Sequence, residues 1–85
     1  MIGLYQFKVL TLNEQAKLLW NGAYLGKRVE NELIVQLYSV SDFFAELYYH
    51  PFKNEIVRIR PFNSPDLLQP YLTGFDLVEK LNATD

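Results

Sequence analysis

The chain has no cysteine, which excludes disulfides, thiolate metal sites and thiol redox chemistry. Histidine is nearly absent as well: His50 stands alone. A metal site needs three or four N, O or S ligands, and one His among scattered carboxylates forms no recognisable ligand spacing. A general base needs a nucleophile and an orienting group beside it. Ser39 and Ser41 fall at the opposite end of a hairpin from His50, and Glu46 lies too far back along the same strand to touch it. No catalytic residue, metal or cofactor is therefore expected. Gly22 and Gly26 lack the companions of a phosphate loop. No apolar run approaches the ~20 residues that span a bilayer. Met1-Ile2-Gly3-Leu4 shows neither the basic start nor the long apolar run of a secretory leader. The cytoplasm is the expected compartment, where the sequon Asn82-Ala83-Thr84 carries no glycan. A net charge of −2 gives no general attraction to nucleic acid or anionic membrane. Repeats, linkers and low-complexity segments are missing too.

What remains is an aromatic-rich chain of 85 residues, 49% hydrophobic and 15% aromatic. That length makes one domain, residues 1–85, with residues 78–85 expected as a flexible tail. A domain this small buries only ~60–65% of its unfolded surface, so it needs a well-filled core or a partner.

The richest stretch, Leu33 to Arg60, reads as three antiparallel strands: Leu33–Val40, Phe43–His50 and Glu55–Arg60. Ile34-Val35 and Ile56-Val57 are β-branched, Tyr38, Phe43, Phe44, Tyr48 and Tyr49 are aromatic, and polar residues interrupt singly. Tyr24–Glu30 supplies a first strand, and Asn31, Ser41-Asp42 and Pro51–Asn54 supply the turns. Pro61 cannot donate to a ladder, so the last strand should stop there, on an edge.

Helices flank the strands. Thr11 and Glu14 match a capping box, followed by Leu12, Ala16, Leu19 and Trp20 on one stripe, with Trp20 expected in the core. Gly22 is expected to end this helix in a left-handed conformation. Ser64, Pro65 and Asp66 start a short C-terminal helix, limited by Pro70 before Gly74 and expected to pack as a cover. Phe75–Leu81 has weak helical spacing. Leu4–Leu10 alternates like an edge strand or an extended lead-in. The expected fold is α+β: a four-stranded antiparallel meander, five-stranded if Leu4–Leu10 joins, with both helices on one face and the other face open.

Alternation sorts the side chains into two sets. Leu33, Val35, Leu37, Ala45, Leu47, Val57 and Ile59 are expected as core. Gln36, Tyr38, Phe44, Glu46, Tyr48, His50, Arg58 and Arg60 are expected on the open face, joined by Tyr24 and Arg28. Tyr24, Arg28, Tyr38, Phe44, Glu46, Tyr48, Arg58 and Arg60 form the candidate binding surface, with Glu46 paired to Arg58 or Arg60 across strands. Tyr and Arg are enriched in interface cores, which points to a homodimer or a protein partner. The alternative is a single-stranded nucleic-acid platform, with Tyr24, Tyr38, Phe44 and Tyr48 stacking bases and Arg28, Arg58 and Arg60 meeting phosphates. Glu46 in its middle and the acidic balance weigh against that alternative.

Five pieces of the chain carry a resemblance. They are Leu19-Trp20-Asn21-Gly22-Ala23-Tyr24-Leu25-Gly26-Lys27-Arg28, Leu37-Tyr38, Phe43-Phe44-Ala45-Glu46-Leu47-Tyr48-Tyr49, Ile56-Val57-Arg58-Ile59-Arg60 and Asp66-Leu67-Leu68-Gln69-Pro70-Tyr71-Leu72. Together they resemble a set of short stand-alone bacterial proteins of uncharacterised function. The resemblance implies a bacterial origin and a domain that exists on its own. It implies no activity, ligand or catalytic residue.

Overall fold

The structure is a computed structural model, and it describes residues 2–72. The expected helix at Phe75–Leu81 and the tail at 78–85 lie outside the described residues.

Two short helices lead the chain. α1 spans Leu4–Lys8, where alternation suggested extended chain. Gly3 supplies an extended N-cap residue, and its N–H donates to the Gln6 Oε1 at 2.8 Å. Of the alternating residues only Phe7 is buried, meeting the Phe43 ring edge-on at 5.3 Å, while Tyr5 and Val9 face solvent. One anchor suits a helical turn, whereas a strand would need a paired row. α2 spans Leu12–Trp20 and begins with the expected capping box. Thr11 Oγ1 accepts from the Glu14 N–H at 3.2 Å, and Glu14 Oε1 accepts from the Thr11 N–H at 2.9 Å. The buried Gln15 side chain donates to the Phe7 carbonyl at 2.9 Å and ties the helices together. Ala16 and Leu19 are buried, but Trp20 is 61% exposed and is not the core anchor its spacing suggested. Gly22 is also not left-handed. Its requirement is space, since a Cβ there would lie 2.4 Å from the Ser39 carbonyl oxygen.

Four strands follow: β1 Ala23–Glu30, β2 Leu33–Val40, β3 Phe43–His50 and β4 Glu55–Phe62. They pair antiparallel in the order β1-β2-β3-β4. β4 continues through Pro61 to Phe62, which an edge strand tolerates because its outer side pairs with nothing described. The α+β meander is the expected one, with four strands.

The faces follow from the pairing. Val40 opposes Phe43, so the turn at Ser41-Asp42 couples even positions on β2 to odd positions on β3. Glu30 likewise opposes Leu33. Extra residues then shift the register between Tyr24 and Gly26 and between Ile56 and Arg58. Tyr38, Val40, Phe43, Ala45, Leu47 and Ile59 form the core under α1 and α2. Gly26, Arg28, Val35, Leu37, Phe44, Glu46, Tyr48, Arg58, Arg60 and Phe62 share the opposite face. Assigning β2 by unbroken parity had placed Gln36 and Tyr38 with Glu46, and Leu33, Val35 and Leu37 in the helix-side core; the turn reverses both sets.

The short C-terminal helix, a 3-10 turn over Pro65–Leu68 continued by helical residues 69–72, also corrects the expected layering. It lies against the face opposite α1 and α2, where Tyr71, Leu67 and Leu68 pack on Leu37, Phe44 and Phe62. That face is thus partly covered rather than open.

Candidate functional site

β3 carries Glu46 at the middle of the sheet, and its side chain is fully buried. A carboxylate there must be paired and hydrogen-bonded to stay charged. The neighbouring strands supply the partners. Arg60, opposite on β4, donates Nη2 to Oε1 at 2.5 Å. Arg28 on β1 reaches across β2 and donates Nε and Nη2 to Oε2 at 3.3 and 3.1 Å. β2 allows this reach because Gly26 and Leu37 precede Glu46 in the same row and present no competing polar group. Tyr48 donates its hydroxyl to Oε1 at 3.1 Å, and Tyr71 from the C-terminal segment donates to Oε2 at 2.6 Å.

Burial pushes the Glu46 carboxyl up, but hydrogen bonds from Tyr71, Arg60 and Arg28 and the charge on Arg28 outweigh it and hold the group below the usual carboxylate range. Burial and the adjacent Glu46 carboxylate push the Tyr71 phenol well above its usual value. Burial would lower Arg28, yet its bonds to Glu30, Tyr71 and Glu46 raise it. The bond to Glu46 raises Arg60. Arg28 also bonds Glu30 Oε1 at 2.8 Å and lies 5.7 Å from the Tyr71 ring centre. Arg58 covers the Tyr48 ring at 4.4 Å. The cluster joins β1, β3, β4 and the C-terminal segment at one carboxylate, and leaves the buried Arg60 Nε without a hydrogen-bond partner.

Of the eight candidate residues, Arg28, Phe44, Glu46, Tyr48, Arg58 and Arg60 are brought together here. Tyr24 and Tyr38 oppose each other on the helix side, their rings edge-on at 5.6 Å. The four rings of a base-stacking platform are therefore split two and two. Glu46 and Tyr48 are buried, and the Arg58 guanidinium occupies the exposed side of the Tyr48 ring. His50 uses its Nδ1 to accept the Lys53 N–H at 3.2 Å, closing the β3–β4 turn.

The surface that sequence reasoning missed lies on the helix side, where α1 and α2 leave the last row of the sheet partly uncovered. Val29, Ile34, Tyr49 and Ile56 oppose one another there across all four strands. Val29 is 74% exposed, and the other three are half-buried. Beside this row is a hollow of about 230 Å³ lined by Trp20, Gln36, Leu47, Tyr49 and Ile56. Tyr49 is steadied by a hydrogen bond from its hydroxyl to Asn54 Oδ1. The pairing puts Lys27 on this face of the sheet and no carboxylate. The signal was present in the sequence as Val29, Tyr49 and Ile56 at strand ends, but the face of each depended on the parity reversals at the turns.

Among the described residues, no three His, Asp or Glu side chains converge as a metal site, and no helix is long and apolar enough to cross a membrane. No protein-family model, curated protein or solved structure matches the chain.

Proposed function

We propose that the chain is a small non-catalytic interaction domain that docks a protein through the apolar row and hollow on its helix side. One observation carries this reading: Trp20, the sole tryptophan, stands 61% exposed at a hollow beside a sheet row that is apolar on all four strands. Contiguous apolar surface of this kind marks binding sites in small soluble domains, and Trp is the residue most enriched at binding hot spots. On the opposite, arginine-rich face Arg28 and Arg60 are spent on Glu46 and Arg58 covers the Tyr48 ring, which fits a structural role for that face. Bacterial origin and a cytoplasmic setting, expected from the sequence, belong to the same reading.

Trp20 reports directly on it. Light scattering over a concentration series, with acrylamide quenching of tryptophan fluorescence, tests the proposal. A monomer with freely quenched Trp20 has a free docking surface, and an oligomer that shields Trp20 has filled it with a copy of itself. Trp20 shielded in a strict monomer means the surface is already covered from within, and overturns the proposal.

A further inference from the structure

Resting on that reading, we infer that the partner presents a single amphipathic helix with acidic flanks. Size argues first. Strands lie ~4.8 Å apart, so a row crossing four of them, with its side chains, is roughly 19 Å long. That is the length of a helix of about 12 residues. The strip is the last row with the hollow beside it, since the next row inward is closed at Leu47 and Ile59, 3% and 9% exposed, and that width takes no more than one helix of ~10 Å diameter. α1 and α2 already form a helical layer on this face, and the strip is the next place in that layer.

Charge argues second. Lys27 projects from the same face beside Gln36, which lines the hollow, and is exposed. Lys17 lies three positions before Trp20 on α2, hence beside it on the helix surface, and is exposed too. No carboxylate on this face of the sheet opposes them. An incoming helix therefore meets apolar floor with cations along it, which favours Glu or Asp flanking its apolar stripe.

The test uses two synthetic helical peptides of about 12 residues. Both carry Leu and Phe at i, i+3, i+4 and i+7; one has Glu on its flanks and the other Lys. The full chain is titrated with each, following Trp20 emission and quenching. The acidic peptide should give a saturable blue shift and shield Trp20, with the basic one about tenfold weaker at low salt. Val29→Gln, a neutral change at an exposed edge position, should weaken the acidic peptide while leaving the melting temperature in place. Equal binding of both peptides, binding of neither, or indifference to Val29→Gln overturns the inference. Where neither peptide binds but a concentration-dependent dimer shields Trp20, a second copy is the occupant: the inference fails and the docking surface stands. Trp20 shielded in a strict monomer removes both.

Discussion

A carboxylate withdrawn fully from water is costly unless every lone pair finds a donor, and Glu46 receives hydrogen bonds from Arg28, Arg60, Tyr48 and Tyr71. Glu46→Gln keeps the shape but turns an NH₂ toward groups that themselves donate. It should cost about 2–4 kcal/mol, softened because Arg28 and Arg60 retain side-chain exposures of 20% and 37% and can reach water. Tyr71→Phe removes one donor from the buried carboxylate and should cost about 1–3 kcal/mol. Urea unfolding measures both, and a Tyr71→Phe protein as stable as the parent would show that the segment is not held through this bond. The pair Glu46–Arg60 followed from simple alternation on neighbouring strands only because the extra residue in β4 cancels the parity reversal of the turn before it. Tyr71 was not legible in the sequence, since nothing in Asp66–Leu72 says which face of the sheet the segment takes.

At the scale of elements, each tight turn reverses the pairing parity, and the register shifts partly restore it. Arg28 shares a face with Glu46 because the turns at Asn31-Glu32 and Ser41-Asp42 reverse parity twice. Tyr38, one reversal away, lies opposite. Arg58 and Arg60 return to the Glu46 face because the extra residue in β4 cancels the reversal at the third turn, and the one in β1 sends Tyr24 to the helix side. Strand positions and turns were thus readable from propensity, while faces required counting residues in turns and shifts that no local pattern announces. The turns carry a testable cost. Asn31, Ser41 and Asn54 hold φ of 58°, 55° and 53°. Asn tolerates this region, but Ser is strained in it. Ser41→Gly should therefore raise stability by about 0.5–1 kcal/mol, while Ser41→Val should lower it by more than that. Chemical denaturation decides the sign, and a destabilising Gly would mean the strain at Ser41 is offset by contacts of its hydroxyl.

Across the whole molecule the two layers differ in kind. The helix side is held by packing of Phe7, Leu19, Phe43 and Leu47, which is indifferent to pH. The other side adds to the packing of Leu37, Phe62 and Tyr71 one carboxylate joining three strands and the C-terminal segment, and that carboxylate is sensitive to pH. In the unfolded chain a Glu titrates near ~4.3. In the folded chain Glu46 lies below the ordinary range, because hydrogen bonds from Tyr71, Arg60 and Arg28 outweigh the upward push of burial. The folded state therefore binds fewer protons in this window, and stability falls as the medium is acidified. The contribution is complete above about pH 5 and is lost as pH drops through the folded value. Urea midpoints measured from about pH 7 to about pH 3 should decline steeply at the acid end for the parent chain. Glu46→Gln should start lower and decline less, so that the two curves converge as the proton does to the parent what the substitution did to the variant. Curves that stay parallel down to the lowest pH would place the acid sensitivity in other carboxylates and remove Glu46 from its role as the pH-sensitive tie between the strands and the C-terminal segment.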